Sequence, residues 1–230
     1  MRPGAESREL RELVARASAA LKVFPLPGVV VLPGTPMPLH IFEPRYREMI
    51  AAALDGDRTL AVATLRFPRD AAEDRAPIHP VAGAGVLEAD ERLPDGRYHV
   101  LFRCLERVRL AEELANGRAY REFRAELLED RWPPGGPPAL VGELEALVQL
   151  VYDLARVLPA ESGAVKLAEA AARLGDPSRA ADLVAAAVIS EPEARRRALE
   201  MLEVRERLAM VTDEVASVLL VLSRGRTPKA

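Results

Sequence analysis

The stretch that most constrains this chain is Pro133-Pro134-Gly135-Gly136-Pro137-Pro138. Its four prolines supply no amide donor and fix φ, and its two glycines favour turns. Neither a helix nor a sheet ladder can run through it. It separates two halves whose apolar residues repeat with different periods, as expected for a linker.

Before the linker, apolar runs are short and turn residues dense. Val29-Val30-Val31-Leu32 is a β-branched run between Pro27-Gly28 and Pro33-Gly34, and reads as a strand. Pro36 to Phe42 is a second extended piece. Glu43 to Leu54 changes to helical spacing, with Tyr46, Met49, Ile50 and Leu54 on one face and Pro44 in the first turn. Thr59 to Arg66 alternates. Val81 to Leu93 and Arg97 to Arg103 flank Pro94-Asp95-Gly96, a hairpin signature. Val108 to Leu110 and Tyr120 to Leu128 extend the sheet, and a helix over 7–21 precedes it. The first half therefore predicts a small antiparallel barrel or curled sheet.

After the linker the spacing is helical. Leu140, Leu144, Leu147, Val148, Val151, Leu154 and Leu158 mark one amphipathic helix. Another spans Leu167 to Leu174 and stops at Gly175. Asp176-Pro177 reads as N-cap and first turn, and Ser190-Glu191-Pro192-Glu193 as a capping box. The last helix runs from about Val204 to Leu222. The fold class is α+β, a small antiparallel barrel or curled sheet followed by an α-helical bundle. The expected division is an N-terminal extension over 1–22, a barrel over 23–132, a linker over 133–138, a bundle over 139–223 and a tail over 224–230.

Composition narrows function more by exclusion than by pointing. The net charge is −3, against the positive excess of a generic nucleic-acid binder. Cys104 is the single cysteine, so an internal disulfide or a cysteine-based zinc cluster is excluded. The N-terminus lacks a secretory h-region, and no apolar run approaches the ~18 residues of a membrane span. The expectation is a cytoplasmic protein that makes no use of a membrane.

The signatures of common catalytic machinery are absent. Gly-Lys never occurs, which removes a phosphate-cradling P-loop, and neither G-x-S-x-G nor H-E-x-x-H is present. His40, His79 and His99 lie in separate segments, although a curled sheet can bring two together; they read as surface or structural residues. Ser162 and Lys166 are one turn apart, but Ser162 sits where a capping serine belongs. Arg195-Arg196-Arg197 is flanked by Glu191, Glu193 and Glu200, the pattern of a salt-laced helix surface. No catalytic residue, cofactor-binding residue or metal ligand is assigned.

Several motifs carry a resemblance. They are Phe24-Pro25-Leu26-Pro27, Val29 to Gly34, the segment Pro38-Leu39-His40-Ile41-Phe42-Glu43-Pro44-Arg45-Tyr46-Arg47, Glu91-Arg92-Leu93-Pro94-Asp95-Gly96-Arg97-Tyr98, Leu105-Glu106-Arg107, Gly175-Asp176-Pro177-Ser178-Arg179-Ala180-Ala181-Asp182-Leu183, and Val204-Arg205-Glu206-Arg207-Leu208. In order and spacing they resemble the N-terminal substrate-recognition domain of Lon proteases, over about residues 23–222. The H-I-F-E-P-R-Y-R form looks like the stand-alone Lon-domain proteins of bacteria. Cys104 stands where the family usually has glycine.

The resemblance implies a PUA-like β-barrel followed by a helical bundle. It also implies a non-enzymatic module that binds unfolded or damaged polypeptide segments, as an adaptor in proteolysis or quality control beside a protease or chaperone. The ATPase and Ser-Lys peptidase of a full Lon protease are not expected here. Phe42, Tyr46 and Trp132 are the candidate protein-binding residues, with core packing the competing role for Phe42 and Tyr46. The alternative is RNA binding, because PUA-like folds also occur in RNA-binding domains; the net charge opposes it.

Overall fold

The computed structural model describes residues 3–66 and 75–224. The chain forms two compact units, 1–128 and 129–230. Residues 225–230 of the expected tail lie outside the described residues.

The first unit opens with helix α1 (Pro3–Ala17), a 3₁₀ turn over Ser18–Ala20 and strand β1 (Leu21–Leu26). Strand β2 (Pro36–Ile41), helix α2 (Pro44–Leu54) and strand β3 (Thr59–Thr64) follow. Strands β4 (Val81–Arg92), β5 (Tyr98–Glu113) and β6 (Arg121–Leu128) complete it. The order is β2-β5-β4-β3-β1-β6, and β6 returns to pair with β5, which closes five strands into a barrel. Strand β5 makes closure possible by changing neighbour along its length. Its first half pairs with β2, Tyr98 opposite Ile41 to Arg103 opposite Pro36, and its second half pairs with β6 from Arg107 to Glu113. The pairings are antiparallel except β1 with β3, which is parallel.

Two strand expectations change. Val29–Leu32 is not a strand, although Val30, Val31 and Leu32 are buried. Gly28 and Gly34 on either side adopt φ of +66° and +86°, so the segment turns at both ends and lies across the barrel. Its Val29 carbonyl accepts from the Thr64 hydroxyl at 2.5 Å in place of a ladder partner. The strand at this end is instead Leu21–Leu26. The separate pieces expected at Arg97–Arg103 and Val108–Leu110 are likewise one strand, because β5 runs unbroken from Tyr98 to Glu113.

Strand β3 is buried on both faces, for two separate cores meet there. Leu60 and Val62 join Tyr46, Met49 and Ile50 of α2 with Tyr98, Val100, Phe102 and Cys104. Ala61 and Ala63 join Val14 and Ala17 of α1, with the small residues Ala82 and Ala84 between them. The Asp95-Gly96 turn forms as expected: Gly96 has φ +80°, and Leu93 donates to the Arg97 carbonyl at 2.8 Å.

The second unit contains five helices among its described residues: α3 (Val141–Val157), α4 (Ala164–Leu174), α5 (Pro177–Val188), α6 (Pro192–Glu200) and α7 (Val204–Arg224). Leu144, Leu147, Val151 and Leu154 are the buried stripe of α3, as their spacing requires. Gly175 closes α4 at φ +61°, and Asp176 caps α5 by accepting from the Ser178 and Arg179 amides. At α6 the cap lies one residue later than expected. Glu191 accepts from the Glu193 and Ala194 amides, and Pro192 occupies the first turn. Residues 129–131 belong to this unit, where Arg131 forms a parallel bridge with Glu203.

Candidate functional site

The site is built on three adjacent strands of the first unit. Pleating sends alternate side chains to opposite faces. Along β2 this puts Met37, Leu39 and Ile41 toward the core and leaves Pro36, Pro38 and His40 exposed. Strand β5 repeats the pattern, with Tyr98, Val100 and Phe102 buried and His99 and Leu101 facing outward. The register aligns the outward residues into rows. Pro38 lies opposite Leu101, which lies opposite Ala89 of β4; His40 lies opposite His99, which lies opposite Glu91.

These rows floor a groove of about 460 Å³, lined chiefly by Pro38, His40, Ala89, Glu91, His99 and Leu101. Its first row is wholly apolar. β2 bears prolines at its exposed positions, and proline offers no amide donor to a further strand. A ligand seated here is held through side chains more than through an extended ladder. Beyond His40, Phe42 stands 60 % exposed, with its ring 5.9 Å from the His40 ring. Among the described residues Phe42 is the largest of the exposed hydrophobic side chains.

The candidate residues separate. Phe42 faces outward at this groove. Tyr46, four residues on, is 7 % exposed and packs edge-on against Phe24 at 4.5 Å. The first turn of α2 rotates it into the core, so it braces the groove from behind. Trp132 is half-buried in the second unit.

The histidines do not all stand apart. His40 and His99 face each other across β2 and β5 with ring centres 5.0 Å apart, and the His99 Nδ1 is 3.5 Å from Glu91 Oε2. Periodicity could not reveal this pair, because the partners are 59 positions apart and only the β2–β5 register joins them. His79 takes no part in it. The titratable side chains that line the groove are His40, Asp90, Glu91 and His99.

The other candidates keep structural roles. Ser162 accepts from the Ala164 amide at 3.3 Å at the start of α4, and Lys166 is exposed. Arg196 bonds Glu193 and Glu200, and these carboxylates raise its already high pKa, the Glu193 bond most. Arg195 donates to the Ala186 carbonyl at 2.9 Å. Arg197 lies 3.7 Å from Glu214 of α7, so the arginine run is engaged by its own helix, by the end of α5 and by α7. Cys104 is fully buried, its sulfur near the Val31 carbonyl at 3.7 Å. Among the described residues no helix is long and apolar enough to cross a membrane.

The family model for the ATP-dependent protease La (LON) substrate-binding domain matches residues 20–217. The chain belongs to this family. Among curated relatives it is similar to Lon protease 2 of Herpetosiphon aurantiacus, 29 % identical over 203 residues, covering 86 % of this chain and 24 % of that protein. It is also similar to Lon protease 2 of Thermus thermophilus, 32 % identical over 193 residues, covering 83 % of this chain and 23 % of that one. The chain spans about a quarter of the length of these relatives. Its fold is that of the N-terminal domain of Mycobacterium avium complex Lon protease, with a TM-score of 0.65 at 20 % identity, covering 86 % of this chain and 98 % of that one. For this member of the LON substrate-binding family, the barrel and bundle expected from the sequence are the observed fold.

Proposed function

We propose that this protein binds exposed apolar segments of unfolded or damaged polypeptide in the β2–β5–β4 groove and presents them to a separate protease or chaperone. The observation that carries the reading is Phe42, 60 % exposed beside His40 at the edge of the groove, in a member of a substrate-binding family. An unfolded chain differs from a folded one chiefly in its exposed apolar side chains, and an open apolar groove recognises that difference with little sequence selectivity. Aromatic residues are the usual anchors of such contacts. The protein binds its client and does not cleave it.

The test is fluorescence anisotropy with a labelled, permanently unfolded protein and with the same protein in its native form. The unfolded form binds and the native form does not, and the labelled client stays intact on a gel. Phe42→Ala and Leu101→Asp each weaken binding by about tenfold, on the order of 1.4 kcal/mol. Equal affinity of both variants and the parent protein would remove the groove from the binding reaction. Absence of any binding to unfolded protein would remove the function.

A further inference from the structure

We propose that His40 and His99 form a two-imidazole site for a borderline transition-metal dication of the zinc type, oriented by Glu91. The two residues are direct cross-strand partners on the exposed face of β2 and β5. In such a pair the Cβ atoms stand roughly 4.5–5.5 Å apart and the backbone ladder fixes their spacing. Two side chains on rigid strands reach a ligand with less ordering than two on loops.

The ring separation suits chelation. A metal–nitrogen bond of about 2.0–2.1 Å places each imidazole centre about 3 Å from the ion, so two rings at a tetrahedral angle have centres ~5 Å apart. The observed separation is 5.0 Å. Neutral imidazole suits zinc, copper and nickel better than calcium or magnesium.

Glu91 supplies what an isolated pair lacks. It sits opposite His99 on β4, and its Oε2 is 3.5 Å from Nδ1. On metal binding, a small side-chain rotation would let this carboxylate accept from Nδ1–H and leave Nε2 to ligate, the usual arrangement behind metal-bound histidines. Among the described residues no group of three or more His, Cys, Asp or Glu side chains is placed to hold a metal. The site therefore has two protein ligands, and the remaining positions belong to water or an incoming group. Its ligands come from two neighbouring strands, so a bound ion joins β2 to β5 at the mouth of the groove.

Calorimetric titration of the whole chain with zinc chloride at neutral pH tests the site, with no polypeptide client present. One equivalent binds. His40→Ala and His99→Ala each weaken it more than about tenfold, Glu91→Gln weakens it by about tenfold, and His79→Ala leaves it unchanged. His40, Glu91 and His99 are exposed and His79 is half-buried, and circular dichroism verifies that each variant is folded. NMR of the unsubstituted protein supplies an independent readout, in which zinc shifts the His40 and His99 ring resonances together and not those of His79. The proposal is overturned if zinc shows no saturable binding, if His40→Ala and His99→Ala bind as tightly as the parent, or if the two rings do not respond together. None of these outcomes bears on polypeptide binding.

Discussion

Arg207 and Asp182 form an ion pair sealed inside the helical unit, with Nε 3.3 Å from Oδ1 and side chains 0 % and 2 % exposed. The same guanidinium donates to Asp130 Oδ1 at 2.8 Å, the Ser178 hydroxyl at 2.5 Å and the Met201 carbonyl at 2.7 Å. One side chain on α7 thus gathers α5, the end of α6 and the segment just before Trp132. Arginine suits the place because its planar fork satisfies several acceptors at once, which a lysine ammonium does not reproduce.

Removing that arginine leaves a buried carboxylate without its cation. Arg207→Ala is expected to destabilise the second unit by about 3–5 kcal/mol, and Arg207→Lys by a large part of that. Urea unfolding followed by the fluorescence of Trp132, the single tryptophan and a residue of this unit, measures it. A loss below about 1 kcal/mol would show that the network is not needed for stability.

The barrel has a comparable tight point at Gly83 and Gly85 of β4. A Cβ on Gly83 would lie 2.4 Å from the Val31 carbonyl oxygen and 2.8 Å from Cys104 Sγ, and one on Gly85 would lie 1.8 Å from the Arg103 carbonyl oxygen. Glycine there lets the irregular Val29–Leu32 segment and the Cys104 side chain approach the sheet. Gly83→Ala is expected to cost about 1–3 kcal/mol by overpacking, and Gly85→Ala more, since only backbone can yield. Thermal unfolding by circular dichroism measures both. The Cys104 thiol, fully buried, should react with a thiol reagent only on unfolding.

Phe42 and Tyr46 should separate stability from binding. Phe42→Ala removes an exposed ring and should change stability by no more than about 0.5 kcal/mol while weakening client binding. Tyr46→Ala empties a core position and should cost about 3–5 kcal/mol. Denaturant midpoints for the two variants, set beside anisotropy titrations, distinguish these outcomes.

Glu203 should carry a small acid-sensitive contribution. The Arg131 guanidinium, hydrogen-bonded at 2.8 Å, is the main cause holding its carboxyl below the usual value. A carboxyl depressed by folding stabilises above its unfolded pKa and loses that contribution as pH falls through the folded value. The pair is exposed, so the effect is modest and weakens with salt. NMR titration should show the Glu203 carboxyl returning toward its ordinary value in Arg131→Ala.

Helix α2, the Asp95-Gly96 hairpin, the α3 stripe and the Asp176 cap were legible because each is a local signal. Spacing, a turn dipeptide or a cap residue acts within a few positions, and the fold leaves those preferences in place. The reading failed at Val29–Leu32, where a β-branched run is strand-like by propensity. Glycines at positive φ on both sides turn it away from the sheet, and burial with a few hydrogen bonds, such as that from the Thr64 hydroxyl, holds it there.

By itself, the sequence determined a strand-rich first half and a helical second half, the helix boundaries near Gly175 and Pro177, and the family motifs. The tertiary structure alone decided that β5 changes partner to close the barrel, that Phe42 faces out while Tyr46 faces in, and that His40 meets His99. It also decided that Arg207 reaches Asp130, Ser178 and Asp182 together. The physical reason is range. Turns, caps and amphipathic stripes are fixed by neighbours within about one or two turns of chain. Strand register and buried ion pairs are contacts between residues tens of positions apart, and no local pattern encodes them until the backbone has closed.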